Sequence, residues 1–250
     1  GMTKPPPDST IDDFYGGAVK LVQAKKGFRA GTDSVLLSAA LDVSMKGHAL
    51  EVGCGAGGAL LPAAWRLSNA QFCGLERDPD MVARASYGAA LNEMGGRVEI
   101  VQGDAAAMPK AWENLFDLVF SNPPFFAEGT IKQPGPGKDG AYLESLPLKD
   151  WLNAMLFALR PKGTLVMIHR ASELAKILSV IERQTGEIAV LPVRSFPGAD
   201  AKRVIVRARK GLRSGAMRLL AGIALYDAKG GEPSALMRGL AREGKGLNWG

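Results

Sequence analysis

The chain has 250 residues, of which 46% are hydrophobic, and its formal net charge is +6. This length allows one large domain or two small ones, and the apolar content excludes ordinary disorder as the default. The two cysteines, Cys54 and Cys73, belong to no Cys-x-x-Cys pair or Cys/His cluster, which argues against a disulfide framework or a metal site and favours a reducing cytoplasm. No apolar run approaches the roughly 18 residues of a membrane span, so no membrane partner is expected.

Apolar periodicity predicts strands and helices that alternate along the chain. Strands are predicted at 48–53, 71–76, 97–104, 116–121, 163–169, 187–194 and 203–210, with a short strand at 221–226. Helices are predicted at 32–42 (capped by Thr32 or Asp33), 58–67, 78–94 (capped by Asp78), 147–160 and 172–184. The alternation indicates an α/β fold with a mostly parallel sheet and helices on both faces. The short loop between the last two long strands predicts an antiparallel pair at the sheet edge.

These elements are expected to form one domain at residues 27–225. Residues 1–26, which contain the loose segment PPPDST, are predicted to be an N-terminal lead-in. Residues 226–250 are predicted to be a C-terminal tail, whose end AREGKGLNWG either stays flexible or folds back with Trp249 as an anchor. A loop at 127–142 is rich in glycine and proline and is long enough for a mobile lid.

Positive charge is concentrated in the last part of the chain. Residues 1–150 hold 14 basic and 18 acidic side chains, a net of −4, whereas residues 151–250 hold 17 basic and 7 acidic ones, a net of +10. A basic block can bind phosphates or can simply be solvated surface, and charge alone does not decide between the two. Arg203, Arg207 and Arg209 have the even spacing of one strand face. The candidate nucleic-acid-binding residues are Lys202, Arg203, Arg207, Arg209 and Lys210.

The segment EVGCGAGG (51–58) ends a predicted strand and opens a helix. Its glycines let the backbone approach a ligand closely, and the helix N-terminus offers N–H groups. Glu76 ends the next strand, where a carboxylate can accept from both ribose hydroxyls. Asp104 follows the third strand and can accept from an adenine amine. Each acid alone is more often a helix cap or a surface residue, but the three features at one sheet edge indicate a nucleoside pocket.

The segment FSNPPFF (120–126) ends an apolar strand in a rigid corner. The side-chain oxygen of Asn122 and the carbonyl of Pro123 can both accept from a planar NH₂ group, which frees the nitrogen lone pair for attack. The two prolines hold this carbonyl in place before the substrate binds. Phe125, with Phe126 beside it, can stack on a base. The alternative, a plain tight loop between strand and helix, is disfavoured by the glycine loop upstream.

The segments EVGCGAGG, GLERD, VQGDA and FDLVFSNPPFF, in this order and spacing, resemble the class I S-adenosylmethionine methyltransferases, and Asn-Pro-Pro-aromatic resembles those that methylate an exocyclic or amide nitrogen. GFRAGTDSVLLSAAL (27–41) resembles the opening of the bacterial family that methylates a tRNA(Val) adenine at N6 beside the anticodon. The resemblance implies a Rossmann-like seven-stranded sheet with an antiparallel C-terminal strand, S-adenosyl-L-methionine as cofactor and tRNA as partner. The implied catalytic residues are Asn122, Pro123, Pro124 and Phe125. The implied cofactor-binding residues are Asp33, Glu51, Gly53, Cys54, Gly55, Gly57, Glu76, Arg77, Asp104, Ala105 and Asn122.

Some roles and alternatives remain open at this point. Many members of the family have tyrosine where this chain has Phe125, which keeps the stacking ring without the hydroxyl. Asp33 could equally be a helix cap, Phe28 is expected to pack in the core, and His48 and His169 are expected to be structural. Enzymes with the same corner also methylate rRNA guanine or a protein glutamine, although the basic C-terminal part favours nucleic acid. A binding module without turnover is disfavoured, since binding alone does not require two amine acceptors.

Overall fold

The computed structural model describes residues 4–125, 146–213 and 215–250. The strands are β1 (Ser9–Phe14), β2 (Val19–Ala24), β3 (Gly47–Val52), β4 (Ala70–Glu76), β5 (Val98–Gln102), β6 (Phe116–Ser121), β7 (Leu159–Arg170), β8 (Thr185–Arg194), β9 (Ala201–Lys210), β10 (Arg218–Leu219) and β11 (Ile223–Ala224). The α-helices are α1 (Thr32–Ala39), α2 (Leu60–Arg66), α3 (Pro79–Leu91), α4 (Leu148–Ala158), α5 (Leu174–Ile181) and α6 (Ala235–Glu243). The predicted lid at 127–142 and Phe126 lie outside the described residues.

The seven long strands of the central sheet follow the order β5–β4–β3–β6–β7–β9–β8. The strands from β5 to β7 are parallel, whereas β9 is antiparallel to both β7 and β8. The short strands β10 and β11 pair with β8. The predicted α/β class and the antiparallel C-terminal strand are confirmed. Because β9 inserts between β7 and β8, β9 is an inner strand of the sheet. Of the antiparallel pair, only β8 lies towards the edge, where the short strands β10 and β11 pair with it.

Both faces of the sheet are buried under helices. On β7, Val166 and Ile168 join a core that includes residues of α1 and α2, whereas Leu165 and Met167 join a second core with α4 and α5. Strands covered on both faces appear in sequence as continuous apolar runs. The run GTLVMIH therefore marks β7 clearly, although this strand starts four residues earlier than the predicted residue 163.

The helix starts show one correct prediction and one error. Asp78 caps α3, since its Oδ1 accepts from the backbone N–H of Asp80 at 2.9 Å, and Pro79 occupies the first helical position. The predicted cap of α1 is wrong. Gly31 is the capping residue there and provides no side-chain cap, while Thr32 and Asp33 lie in the first turn.

The predicted lead-in at residues 1–26, for which the sequence indicated no strand, contains regular structure at residues 9–24. These residues form an antiparallel hairpin of β1 and β2, in which Val19, Leu21 and Val22 are buried. Asn92, the C-cap of α3, holds Lys20 from both sides: its Oδ1 accepts from the backbone N–H at 2.8 Å and its Nδ2 donates to the carbonyl at 2.7 Å. The hairpin therefore depends on distant contacts with α3, which the local sequence does not reveal.

Of the two alternatives for the C-terminal end, the structure shows the one that folds back. Trp249 is 9% exposed, and its Nε1 donates to the carbonyl of Ala40 at 3.0 Å. The backbone N–H of Leu247 donates to the carbonyl of Ala39 at 2.7 Å. The end of the chain is thus fastened to the C-terminal turn of α1.

Candidate active site

The glycine loop lies directly after β3, at the carboxyl edge of the parallel strands. Gly53, Gly55 and Gly57 have φ angles of 75°, 55° and 94°, a region that favours glycine. The backbone N–H groups of Gly53 and Cys54 donate to the carbonyl of Leu75 at 2.8 and 3.0 Å. The loop is therefore fastened to the end of β4 by main-chain hydrogen bonds.

A tryptophan of α4, Trp151, lies against this loop at Gly53. A Cβ atom placed on Gly53 would lie 2.8 Å from Cζ2 of Trp151. The Trp151 Nε1 donates to Oγ of Ser121 at 2.9 Å, and this hydroxyl donates to the carbonyl of Val52 at 2.6 Å. Sequence reasoning missed both Trp151 and Ser121, because Trp151 lies 98 residues after Gly53 and no local pattern links it to the loop.

The carboxylate of Glu76 is held by main-chain donors at the end of β4. Its Oε1 accepts from the N–H of Gly55 at 2.9 Å, and its Oε2 accepts from the N–H of Asp78 at 2.8 Å. Each oxygen of an ionised carboxylate can accept more than one hydrogen bond. Glu76 can therefore bind a diol while the main-chain donors keep it in place.

Asp104 lies after β5 and acts as a helix cap in this structure. Its Oδ1 accepts from the N–H of Ala106 at 2.9 Å, and its Oδ2 lies 3.5 Å from Nη1 of Arg77. The neighbouring Ala105 is buried. The cap and the ion pair orient the carboxylate at the same edge as Glu76, and they do not exclude a contact with a ligand.

Glu51 is a buried acid with an unsatisfied oxygen. It is 3% exposed, and its Oε1 has no hydrogen-bond partner among the described residues. Burial, followed by the negative charge of Glu76, raises the pKa of Glu51 well above its ordinary value of 4.5. An unsatisfied buried polar atom costs free energy unless a ligand pairs with it, so Glu51 is poised to bind a polar or cationic group.

A cavity of about 70 Å³ brings the glycine loop and the Asn-Pro-Pro-Phe corner together. Its lining residues include Gln23, Phe28, Ala30, Ser34, Glu51, Gly53, Cys54, Gly55, Met81 and Asn122. The predicted core position of Phe28 is wrong, since this side chain is 72% exposed. Gln23 comes from the unpredicted hairpin, and its Oε1 accepts from the N–H of Ala30 at 2.7 Å.

Asp33 is not among the residues that line this cavity. Its Oδ2 instead accepts from Nε of Arg203 at 3.2 Å, and the neighbouring Ser34 faces the cavity. The role of Asp33 at the cofactor therefore stays a prediction, and its observed contact is with the basic strand β9.

The Asn-Pro-Pro-Phe corner follows β6. Asn122 is partly buried, Pro123 is buried and Pro124 is exposed. The guanidinium carbon of Arg170 lies 4.0 Å from the centroid of the Phe125 ring, and the ring of His169 packs edge-on to Phe125 at 6.0 Å between centroids. Burial lowers the pKa of His169, which favours a neutral imidazole and fits the structural role expected for it.

The five candidate nucleic-acid-binding residues of β9 do not all lie at the sheet edge that carries the corner. Because β9 is antiparallel to β7, Arg203 pairs with Arg170 beside the corner, whereas Arg209 pairs with Thr164 at the opposite edge of the sheet. Lys210 lies there too, and its Nζ donates to the side chain of Asn114 at 2.8 Å and to the carbonyls of Leu156 and Leu159. Lys202 and Arg203 alone share the edge of the corner, and RNA binding by the whole set stays a prediction.

Two of these arginines also have contacts within the protein. The guanidinium carbon of Arg207 lies 4.4 Å from the Trp249 ring centroid. Arg209 donates through Nε to the carbonyl of Lys162 at 3.1 Å and forms an ion pair with Glu187 at 3.4 Å. The even spacing of β9 was interpreted correctly as one face, but this face packs partly against the folded-back end of the chain.

The fold and the site together define a class I S-adenosylmethionine-dependent methyltransferase. Among the described strands of the sheet, β9 is antiparallel to its neighbours and the other long strands run parallel to one another, as this class requires. The glycine loop, the fixed carboxylate of Glu76 and the corner at Asn122 lie at the carboxyl ends of successive parallel strands, where open α/β sheets bind ligands. No described helix is long and apolar enough to cross a membrane, and the described ranges contain no group of three side chains that could hold a metal.

Comparison with known proteins identifies the family. A family model described as a methyltransferase domain matches residues 44–192, and the chain belongs to this family. A Porphyromonas gingivalis protein named tRNA1(Val) (adenine(37)-N6)-methyltransferase is 31% identical over 188 residues, which cover 71% of this chain and 72% of that protein.

Solved structures support the fold. A predicted O-methyltransferase from Agrobacterium tumefaciens superposes with a TM-score of 0.69 at 22% identity, covering 86% of this chain and 98% of that one. The M. jannaschii protein TYW2, solved in complex with AdoMet, superposes with a TM-score of 0.55 at 12% identity, covering 84% of this chain and 89% of that one.

The residues of the cavity, together with Glu76, which accepts from the N–H of the lining residue Gly55, fit S-adenosylmethionine, which is the cofactor. The free Oε1 of Glu51 offers an acceptor for an ammonium group, and Glu76 offers a fixed carboxylate for a ribose. A Cβ on Gly55 would meet no atom within 4 Å, so the backbone there is open to a ligand. The assignment of individual residues to parts of the cofactor stays a prediction.

Proposed function

We propose that the chain transfers a methyl group from S-adenosylmethionine to the exocyclic N6 amine of an adenine in the anticodon-loop region of tRNA. The observation that carries this proposal is the shared cavity, which Asn122 lines together with Gly53 and Gly55. The name of the Porphyromonas gingivalis relative supports the choice of acceptor. The proposal includes action in the cytoplasm, where tRNA is available.

The corner would activate the amine by accepting its protons. The Asn122 side-chain oxygen and the Pro123 carbonyl each accept one N–H of the NH₂ group, which draws the nitrogen lone pair out of the purine ring. The prolines fix these acceptors before binding, so little reorganisation is needed during the reaction. Alignment of the nitrogen with the methyl carbon can lower the barrier by about 7–11 kcal/mol.

The cofactor supplies an electrophilic methyl group on a sulfonium. With the cofactor bound, the nitrogen lone pair would form the new N–C bond, the C–S bond would break with its electron pair on sulfur, and the extra proton would leave the nitrogen for solvent. This scheme requires no general base. The buried His169 packs against Phe125, and we assign it a packing role rather than a proton-transfer role.

An anticodon loop is a suitable source for the acceptor base. Bases in RNA loops are already unpaired, so moving one into a pocket costs less than extracting it from a duplex. Phe125 is partly buried and adjoins the corner, and its ring can stack on the base. Stacking of this kind contributes about 1–3 kcal/mol per base.

The test uses labelled cofactor with unmodified tRNA, followed by nucleoside mass spectrometry. We expect N6-methyladenine with the wild-type chain and a loss of turnover of about 10²–10³-fold with Asn122→Ala, as for the removal of one preorganised polar group. Affinity for the cofactor should fall only modestly.

The matched control is Asn153→Ala, which changes an exposed asparagine of α4 and should keep full activity. Three results would contradict the proposal: full turnover by Asn122→Ala, methyl label found in guanine, or label that resists nuclease and disappears with protease. The last result would instead indicate a protein glutamine acceptor.

A further inference from the structure

Arg170 is the last residue of β7 and covers the aromatic ring of the corner. Its guanidinium carbon lies 4.0 Å from the centroid of the Phe125 ring, although the side chain is on the exposed surface. The strand places it there because β7 is the parallel neighbour of β6, so both strands end at the same edge. Nothing in the local sequence around Arg170 predicts this contact.

Among the described residues, the acidic side chains near Arg170 pair with other basic side chains. Its cross-strand neighbour is Arg203, a like charge. Asp33 is already engaged, since its Oδ2 accepts from Nε of Arg203 at 3.2 Å. The next acid along the chain, Glu173, pairs with Lys176 at 3.8 Å. In the described part of the chain, Arg170 therefore forms no ion pair, and its recorded contact is with an aromatic ring.

We propose that Arg170 binds the phosphate of the acceptor nucleotide. In the free protein its guanidinium covers Phe125; when the acceptor base stacks on this ring, the guanidinium moves to the phosphate of the same nucleotide. This inference rests on the proposed function, because it requires an acceptor that carries a phosphate.

The exchange follows from the relative strengths of the contacts. A cation over a ring at an exposed site is a weak interaction, and a base stacked on an aromatic side chain is a stronger one. The base can therefore replace the guanidinium on Phe125. The released guanidinium is planar and permanently charged, and its N–H groups match two phosphate oxygens. Arg170 thus favours a nucleotide over a glutamine side chain, which has no phosphate.

The experiment compares Arg170→Gln and Arg170→Lys with the wild type on unmodified tRNA. KM, kcat and cofactor affinity are measured, together with the dependence of RNA affinity on salt. We expect Arg170→Gln to raise the KM for tRNA about tenfold and to reduce the slope of log K against log salt by about one unit, with little change in kcat or cofactor affinity. Arg170→Lys should restore the slope, because the charge remains, while its KM stays above that of the wild type.

The matched control is Arg183→Gln. Arg183 is exposed and lies just before β8, at the amino edge of the sheet and away from the corner. This variant should keep the wild-type KM and salt slope.

The outcomes separate this inference from the proposed function. If the wild type methylates tRNA and Arg170→Gln keeps the wild-type salt slope, the phosphate contact is wrong and the proposed function stands. A fall in kcat at an unchanged KM would show that Arg170 only positions Phe125, and would also overturn the inference. A wild-type chain that methylates protein and not RNA would contradict both.

Discussion

Two regions of the candidate site lie at one sheet edge, but different forces hold them. The cofactor region, defined by Gly53–Gly57, Glu76 and Asp104, is fastened by main-chain donors and acceptors at 2.8–3.0 Å. The acceptor region, defined by Asn122–Phe125, Arg170 and Arg203, is held by side-chain contacts: a cation over a ring and a partly exposed ion pair. Main-chain hydrogen bonds persist when a ligand enters, whereas cation–aromatic contacts and ion pairs that solvent can reach contribute about 1 kcal/mol or less and can be exchanged.

This difference matches the two tasks of a methyltransferase. A small cofactor is bound in the same way in every turnover, so a fixed cradle lowers the cost of binding. Under the proposed function, a large nucleic acid enters, places one base and leaves, which is easier where the local contacts are weak. The following predictions test this contrast, beginning with the largest expected effect.

The most severe change to the cofactor region should be Gly53→Ala. The backbone φ of 75° disfavours an L-residue, and the new Cβ would lie 2.8 Å from the Trp151 ring. We expect the free energy of unfolding to fall by about 2–4 kcal/mol, from strain and overpacking together.

Gly55→Ala is the matched comparison for this prediction. Its φ is also positive, at 55°, but a Cβ there meets no atom within 4 Å. It should cost only about 1–2 kcal/mol of stability. Urea unfolding of both variants measures the difference, and equal losses would show that Trp151 does not support the loop.

Glu76→Gln should weaken cofactor binding while the fold survives. The amide keeps one acceptor for a main-chain N–H but loses the charge and presents an NH₂ group to the other donor. We expect a loss of cofactor affinity of about 10–100-fold, which corresponds to the value of hydrogen bonds to a charged group. Calorimetric titration measures it. Glu99→Gln, on the exposed part of β5, is the control, and a similar loss in that variant would mean that the effect is not specific to the ribose position.

Glu51→Gln should have the smallest effect at neutral pH and the clearest dependence on pH. The raised pKa of Glu51 means that the folded chain keeps this proton above pH 4.5, where the unfolded chain loses it. The wild type therefore loses stability as the pH rises above 4.5, until the folded group itself ionises. The variant has no such loss and should be more stable than the wild type at pH 7.

This advantage of Glu51→Gln should disappear near pH 4. Thermal unfolding between pH 4 and pH 8 in the absence of cofactor measures it. An advantage of constant size across this range would contradict the assignment of a buried, protonated acid. Weaker cofactor binding by the same variant would add support for Glu51 as a ligand of the cofactor.

Local patterns predicted most of the sheet and its order of elements. The runs FDLVFS and GTLVMIH mark buried strands, and Asp78 with Pro79 marks the start of α3. The glycine loop, Glu76 and the corner at Asn122 could also be predicted from the sequence. Each lies at or directly after the end of a strand, and the carboxyl ends of parallel strands meet at one edge. These features depend on neighbours that are close in sequence.

The missed features all depend on contacts between distant segments. The hairpin of β1 and β2 is held by Asn92 and Arg84 of α3. Trp151 supports Gly53, and Arg170 covers Phe125, although more than forty residues separate these two in the sequence. The error at Phe28 has the same origin, because an aromatic residue beside a predicted helix is usually core, and only the position of the cavity shows why it is exposed.

The basic strand β9 shows how far the sequence alone can predict the positions of side chains. Its sequence by itself determined that Arg203, Arg207 and Arg209 share a face, because side chains alternate along any strand. Only the tertiary structure decided that Arg203 lies beside the active site and Arg209 at the opposite edge, because this depends on the direction of β9 between β7 and β8. In the same way, the sequence determined where the glycine loop, Glu76 and Asp104 lie, because each lies at or just after the end of a strand. The tertiary structure decided which side chains surround the corner at Asn122, since packing between distant segments brings them together.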